Sequence, residues 1–177
     1  NPRTKAGQGK QKAREQETKE RQKADADRRA GLDPKVQEVI EAGNAYIRKI
    51  RECNDAIPGE VVSEKMSRME LLTKRIFARV EQNPEVVTDI RRLMEYYLPT
   101  TIKLLQAYQD LDAQPVQGEN IISSKKEIEK TLDTLNVAFE KLLDDLFQET
   151  AWDVSTDISV LHTMLAQEGL TEDGLKK

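Results

Sequence analysis

The chain has 177 residues, 34% charged and 5% aromatic, with eight glycines and a net charge of −4. That size suits one domain, or one domain with an appendage, and a mix rich in Ala, Glu, Lys, Leu and Arg favours helices over sheets. No apolar run reaches the ~18 residues that a membrane span requires, no secretory leader is visible, and the single Cys53 excludes an internal disulfide and fits a reducing compartment.

Charge is distributed unevenly along the sequence. Residues 1–30 hold ten Lys or Arg against five acids, whereas Leu142 to Leu175 contains no Lys or Arg at all. The acids Asp144, Asp145, Glu149, Asp153, Asp157, Glu168, Glu172 and Asp173 all fall in that second stretch. A basic arm can approach anionic phospholipid or nucleic acid, but the acidic end argues against a nucleic-acid binder. Two solvated faces are the plainer reading.

Residues 1–32 read as a basic solvated arm, helical or disordered, because they offer almost nothing apolar to a core. Asp33-Pro34 then reads as a helix N-cap and first helical position. The helix behind it sets Val36, Ile40, Gly43, Ile47, Ile50, Asn54 and Ile57 at steps of three and four, until Pro58-Gly59 stops it. Cys53 lies beside this seam as a small core residue. A second helix, from about Glu60 to Gln82, has the seam Val62, Met66, Met69, Thr73, Ile76 and Val80. Asn83-Pro84 opens a third, with Val87, Ile90, Met94, Tyr97, Thr101, Leu104, Tyr108 and Leu111 inward. Pro99 should bend it, since proline removes a backbone bond and crowds the preceding turn. Tyr96, Tyr97 and Tyr108 are expected to pack, with partners for any buried hydroxyl.

From Gly118 to Gly169 no proline or glycine intervenes. Ile121, Ile128, Leu135 and Leu142 repeat every seven residues, with Leu132, Phe139 and Leu146 in the complementary positions. The apolar row then moves sideways to Leu143, Phe147, Val154, Ile158, Leu161 and Leu165. This is one very long helix or two nearly collinear ones. At 1.5 Å per residue it would reach ~75 Å, too long for its neighbours to cover. Either its last third projects, or it breaks near Thr150–Ser155 and folds back. Gly169-Leu170 has the form of a Schellman end. The whole reads as an all-α, antiparallel helical bundle of four to five helices with one very long C-terminal helix. The bundle domain spans 33–170, and 171–177 is a tail.

Little in this sequence is shaped for chemistry. On the long helix Asp145, Glu149, Asp153 and Asp157 wind toward the apolar stripe, so Asp157 is expected at the edge of the core. A buried carboxylate must be paired, protonated or metal-bound. A structural hydrogen-bonded acid leads. A divalent-cation site of Glu149, Asp153 and Asp157, or a general acid or base in Asp153 or Asp157, are the alternatives. Trp152 faces away from the stripe and should pack on the arm or on a folded-back segment, or else anchor an interface with Asp145 and Glu149. Ser123, Ser124 and Lys125 near a helix start could hold phosphate, though an ordinary capped terminus, with Ser124 and Glu127 as its capping box, accounts for them. His162, at the border of the stripe, is expected to be partly buried and hydrogen-bonded.

Several stretches carry a resemblance: YYLPTT at Tyr96–Thr101, QPVQGENI at Gln114–Ile121, TLDTL at Thr131–Leu135, FEKLLDDLFQETAWD at Phe139–Asp153, and MLAQEGL ending at Leu170. Together they resemble the XpaC family of 5-bromo-4-chloroindolyl phosphate hydrolysis proteins. The resemblance implies a soluble portion of a longer protein, held at the cytoplasmic face of the membrane by a hydrophobic N-terminal anchor. The chain begins at Asn1 without methionine, which fits a fragment, and its basic arm would then lie beside the bilayer. The family name implies hydrolysis of an aryl phosphate monoester, yet no nucleophile and base are paired in the sequence. The reading adopted is a protein-binding or scaffold module without a cofactor. A metal-dependent aryl phosphomonoesterase is the alternative, and self-association along the long helix is a third possibility.

Overall fold

The computed structural model describes the backbone of residues 2–171 and the side chains of residues 5–171, all within helices or their connections. Helix α1 spans Pro2–Ala30, α2 Pro34–Ala56 and α3 Glu60–Gln82. Then come α4 at Leu98–Asp112, α5 at Glu119–Asp145 and α6 at Gln148–Gln167. Among the described residues there is no strand. The basic arm is therefore a helix, and α1 lies almost entirely in water.

The starts and stops follow local chemistry. The Asp33 carboxylate accepts from the Lys35 amide at 2.8 Å, and Pro34 occupies the first turn of α2. Ile57, Pro58 and Gly59 separate α2 from α3. At the far end Gly169 has φ 71°, and the Leu170 amide donates to the Leu165 carbonyl at 2.9 Å. That is the expected Schellman closure.

Helices α2 to α5 enclose one core. Helix α3 packs on α2 and α5, and α4 packs on the same two. Around the core the order is therefore α2, α3, α5, α4, and the chain crosses a diagonal between α3 and α4. Consecutive helices run antiparallel: Arg51 with Glu70 and Asn54 with Ser67 tie the end of α2 to the first half of α3. Tyr108 with Glu129 and Asp112 with Lys125 do the same for α4 and α5. Across the α3–α5 side the direction is parallel, because Lys65 meets Asp133, Arg68 meets Glu140 and Arg79 meets Thr150.

The diagonal crossing is made by Pro84–Ile90, a 3-10 segment, followed by a π-type turn at Leu93–Tyr97. The cause is Pro99. It has no amide to offer the preceding turn, so the Leu98 amide reaches back five residues to the Leu93 carbonyl. The extra residue shifts the buried face. Val86, Ile90, Leu93, Leu98, Thr101, Ile102, Leu105 and Tyr108 are buried, so the expected inward positions Met94 and Leu104 are only partly covered. Tyr97, expected inside, is exposed and meets Tyr96 edge-on, ring centroids 5.8 Å apart.

Candidate functional site

The functional question sits where the chain leaves the bundle. The α5 face closes on Ile128, Leu132, Phe139 and Leu146. One residue later the apolar row restarts at Phe147, which on a helix moves it about 100° round the axis. A helix whose stripe has turned away can no longer bury it against α3, and α3 itself ends at Gln82. The Phe147 amide donates to the Asp144 carbonyl at 3.0 Å, tightening the last turn, and α6 begins at Gln148. The break thus lies at Leu146-Phe147, while Thr150–Ser155 is continuous helix.

Arg79 of α3 holds this turn. Its Nε donates to the Leu146 carbonyl at 3.2 Å and its Nη2 to Thr150 Oγ1 at 2.8 Å. The guanidinium carbon lies 4.1 Å from the centroid of the Phe147 ring, a stacking contact suited to arginine.

Beyond the turn α6 buries no residue. Val154, Ile158 and Leu161 are each about half exposed, at 50%, 49% and 55%, and Trp152 is 62% exposed. Such a row of apolar side chains on one helix face is unusual for a surface element.

Glu149, Asp153 and Asp157 lie on this same exposed helix. The expected burial of Asp157 does not occur, because no core lies beside α6 to receive it. Among the described residues, no three His, Cys, Asp or Glu side chains gather as a metal site would need. His162 is also exposed, not tucked at a core edge. Trp152 does point away from the stripe. It joins Glu85, Val86, Asp89, Asp145 and Glu149 around a cleft of about 360 Å³ between α6 and the 3-10 segment. Neither the arm nor a folded-back segment covers Trp152, which is mostly exposed.

Ser123 and Ser124 are exposed in the second turn of α5, and Gly118 serves as its N-cap. Lys125 is committed elsewhere. Its ammonium lies 2.8 Å from Asp112 Oδ1 and 3.1 Å from Gln117 Oε1, and 5.6 Å from the Tyr108 ring centroid. The Tyr108 hydroxyl donates to Glu129 Oε1 at 2.8 Å. Burial first, and then the Glu129 carboxylate, push the phenol's ionisation well above its ordinary 10.0. Cys53 is buried as expected, and burial, with Glu52 nearby, raises its thiol pKa.

The sequence reading missed Arg79 and the group formed by Tyr108, Glu129, Lys125 and Asp112. For Arg79 the only local signal was a basic residue in the last turn of α3, which does not say what it meets. The Tyr108 group had no sequence signal, since it depends on which helices become neighbours.

The sequence model of a family described as 5-bromo-4-chloroindolyl phosphate hydrolysis protein covers residues 7–161. No curated protein and no solved structure matches the chain.

Proposed function

This chain belongs to the family of 5-bromo-4-chloroindolyl phosphate hydrolysis proteins, and from that premise we propose that it acts by binding protein rather than by cleaving the ester itself. The observation that carries the proposal is α6, a 20-residue helix that buries nothing and keeps an apolar row in water. Leaving such surface exposed costs roughly 25 cal/mol per Å² relative to covering it, so a covering partner is its natural use. The acidic cleft beside Trp152 supports the same reading, because an aromatic anchor rimmed by carboxylates suits protein contact. Cleaving a phosphate monoester needs a nucleophile or activated water and strong neutralisation of the phosphate charge. The exposed acids of α6 have no cation within ion-pairing distance to offset their repulsion of phosphate among the described residues.

The proposal extends to location: α1, with its surplus of Lys and Arg, is suited to the anionic headgroups of a membrane surface. A metal-dependent phosphomonoesterase is the competing reading, favoured by the family's description. An assay of the purified chain separates the two, using an indolyl or other aryl phosphate with Mg²⁺, Mn²⁺, Zn²⁺ or chelator. Turnover at the blank rate under every condition is expected. Metal-stimulated turnover that disappears in Asp153→Asn or Asp157→Asn would make the protein an enzyme.

A further inference from the structure

The geometry points to a second copy of this chain as the occupant of the α6 stripe, joined to it as a parallel, two-stranded coiled coil. This inference rests on the binding proposal above and names the partner. Within α6, Ala151, Val154, Ile158, Leu161 and Leu165 follow one another at steps of three and four without a fault. That is the spacing that keeps a seam facing an identical helix. Ala151, Ile158 and Leu165 take one core position of the heptad, and Val154 and Leu161 take the other.

Charge selects the partner. A helix with several acids and no Lys or Arg should repel its own copy if those acids bordered the seam. They do not. Glu149 and Asp153 fall on the far side of the heptad, and the bordering positions are Gln148, Thr150, Ser155, Asp157, His162 and Met164. Only Asp157 and His162 among these are ionisable, and they stand five residues apart. In a parallel pair each residue before one core position neighbours the partner residue five places further on. Asp157 of each copy then meets His162 of the other, twice per dimer by symmetry. An antiparallel pair, in the register that sets Ala151 opposite Leu161, would bring Asp157 against Asp157 and leave His162 facing Gln148. Both residues are exposed and lie on a helix with no buried residue, so nothing in the bundle obstructs either contact. The seam is short, and the dimer should dissociate on dilution.

Sedimentation of the 177-residue chain over a concentration series tests the pairing. A monomer–dimer equilibrium is expected. Ile158→Lys should raise the dissociation constant at least ~30-fold, the loss of one central anchor, with the thermal unfolding midpoint unchanged at concentrations where both chains are monomeric, because the bundle does not use that side chain. Asp157→Lys should weaken the dimer, and Asp157→Lys with His162→Glu should recover it. Direction is read by mild oxidation of Ala151→Cys in a Cys53→Ala background. Self-linked dimer is expected at micromolar protein. A chain that stays monomeric throughout overturns the inference, as does a disulfide that forms only when Ala151→Cys is mixed with Leu161→Cys. The aryl phosphate assay reports separately: a monomeric chain that hydrolyses nothing leaves the binding proposal standing and removes only the second copy.

Discussion

Gly43 and Phe77 compete for one volume. A Cβ built on Gly43 would lie 2.4 Å from the Phe77 ring, which is itself 3% exposed. Glycine inside a helix normally costs roughly 0.5–1 kcal/mol relative to alanine. Here the close approach of α2 and α3 reverses the sign, and Gly43→Ala should destabilise by about 1–3 kcal/mol through overpacking. A lower urea midpoint at unchanged slope would show it. The seam spacing made Gly43 legible as an inward position. Which side chain fills its notch depends on the facing helix, and no single-helix pattern contains that. Tyr108 permits a second prediction. Its phenol stays protonated to higher pH in the folded chain than in the unfolded one. Above about pH 10 the unfolded state therefore binds fewer protons, and stability falls as pH rises. Tyr108→Phe should flatten that alkaline loss, while at neutral pH it costs ~1 kcal/mol for the lost hydrogen bond to Glu129. Denaturation midpoints at neutral pH and across the alkaline range measure both.

Elements were legible where punctuation and period agreed. The inward rows of α2 and α3 are buried as read, apart from a half-buried Asn54, because Pro34, Pro58-Gly59 and Asn83-Pro84 mark their ends. Within α4, Thr101 and Tyr108 are buried as read, while Leu105 takes the fully buried place expected of Leu104; Pro99 signals a bend, but not the added residue of the π-type turn. The long C-terminal helix was legible as a change in the apolar row. The break offered near Thr150–Ser155 falls instead at Leu146-Phe147, because neither glycine nor proline causes it; a change of phase and a clamp from α3 do. Arg79→Ala removes that clamp, taking away the bonds to Leu146 and Thr150 and the contact with Phe147. Amide exchange from Leu146 to Ala151 should then quicken, by roughly tenfold for each 1.4 kcal/mol lost. Exchange in the middle of α3 should hold at its original rate.

At the scale of the molecule, the basic α1 and the acidic α6 bury almost nothing beside an enclosed centre, and the uneven charge was visible in the sequence. Neighbour order round the core was not, since steps of three and four say which face turns inward but not whose face it meets. The basic end permits a measurement. Vesicles containing phosphatidylserine should retain the chain at low salt, release it as the Debye length shortens, and ignore it when made of neutral lipid alone. Equal retention by neutral vesicles would remove α1 from that role.

The diagonal step from α3 to α4 also fixes a temporal order. When a ribosome has released the first three walls of the core, the faces of α3 and α4 that pack on α5 still border an open trough, because the fourth wall is translated last. Only the emergence of Phe139 and Leu146 roofs it over. The sticky ridge of α6 follows directly behind, so each nascent chain can shut its own interior before it displays a surface that would fasten it to a neighbour.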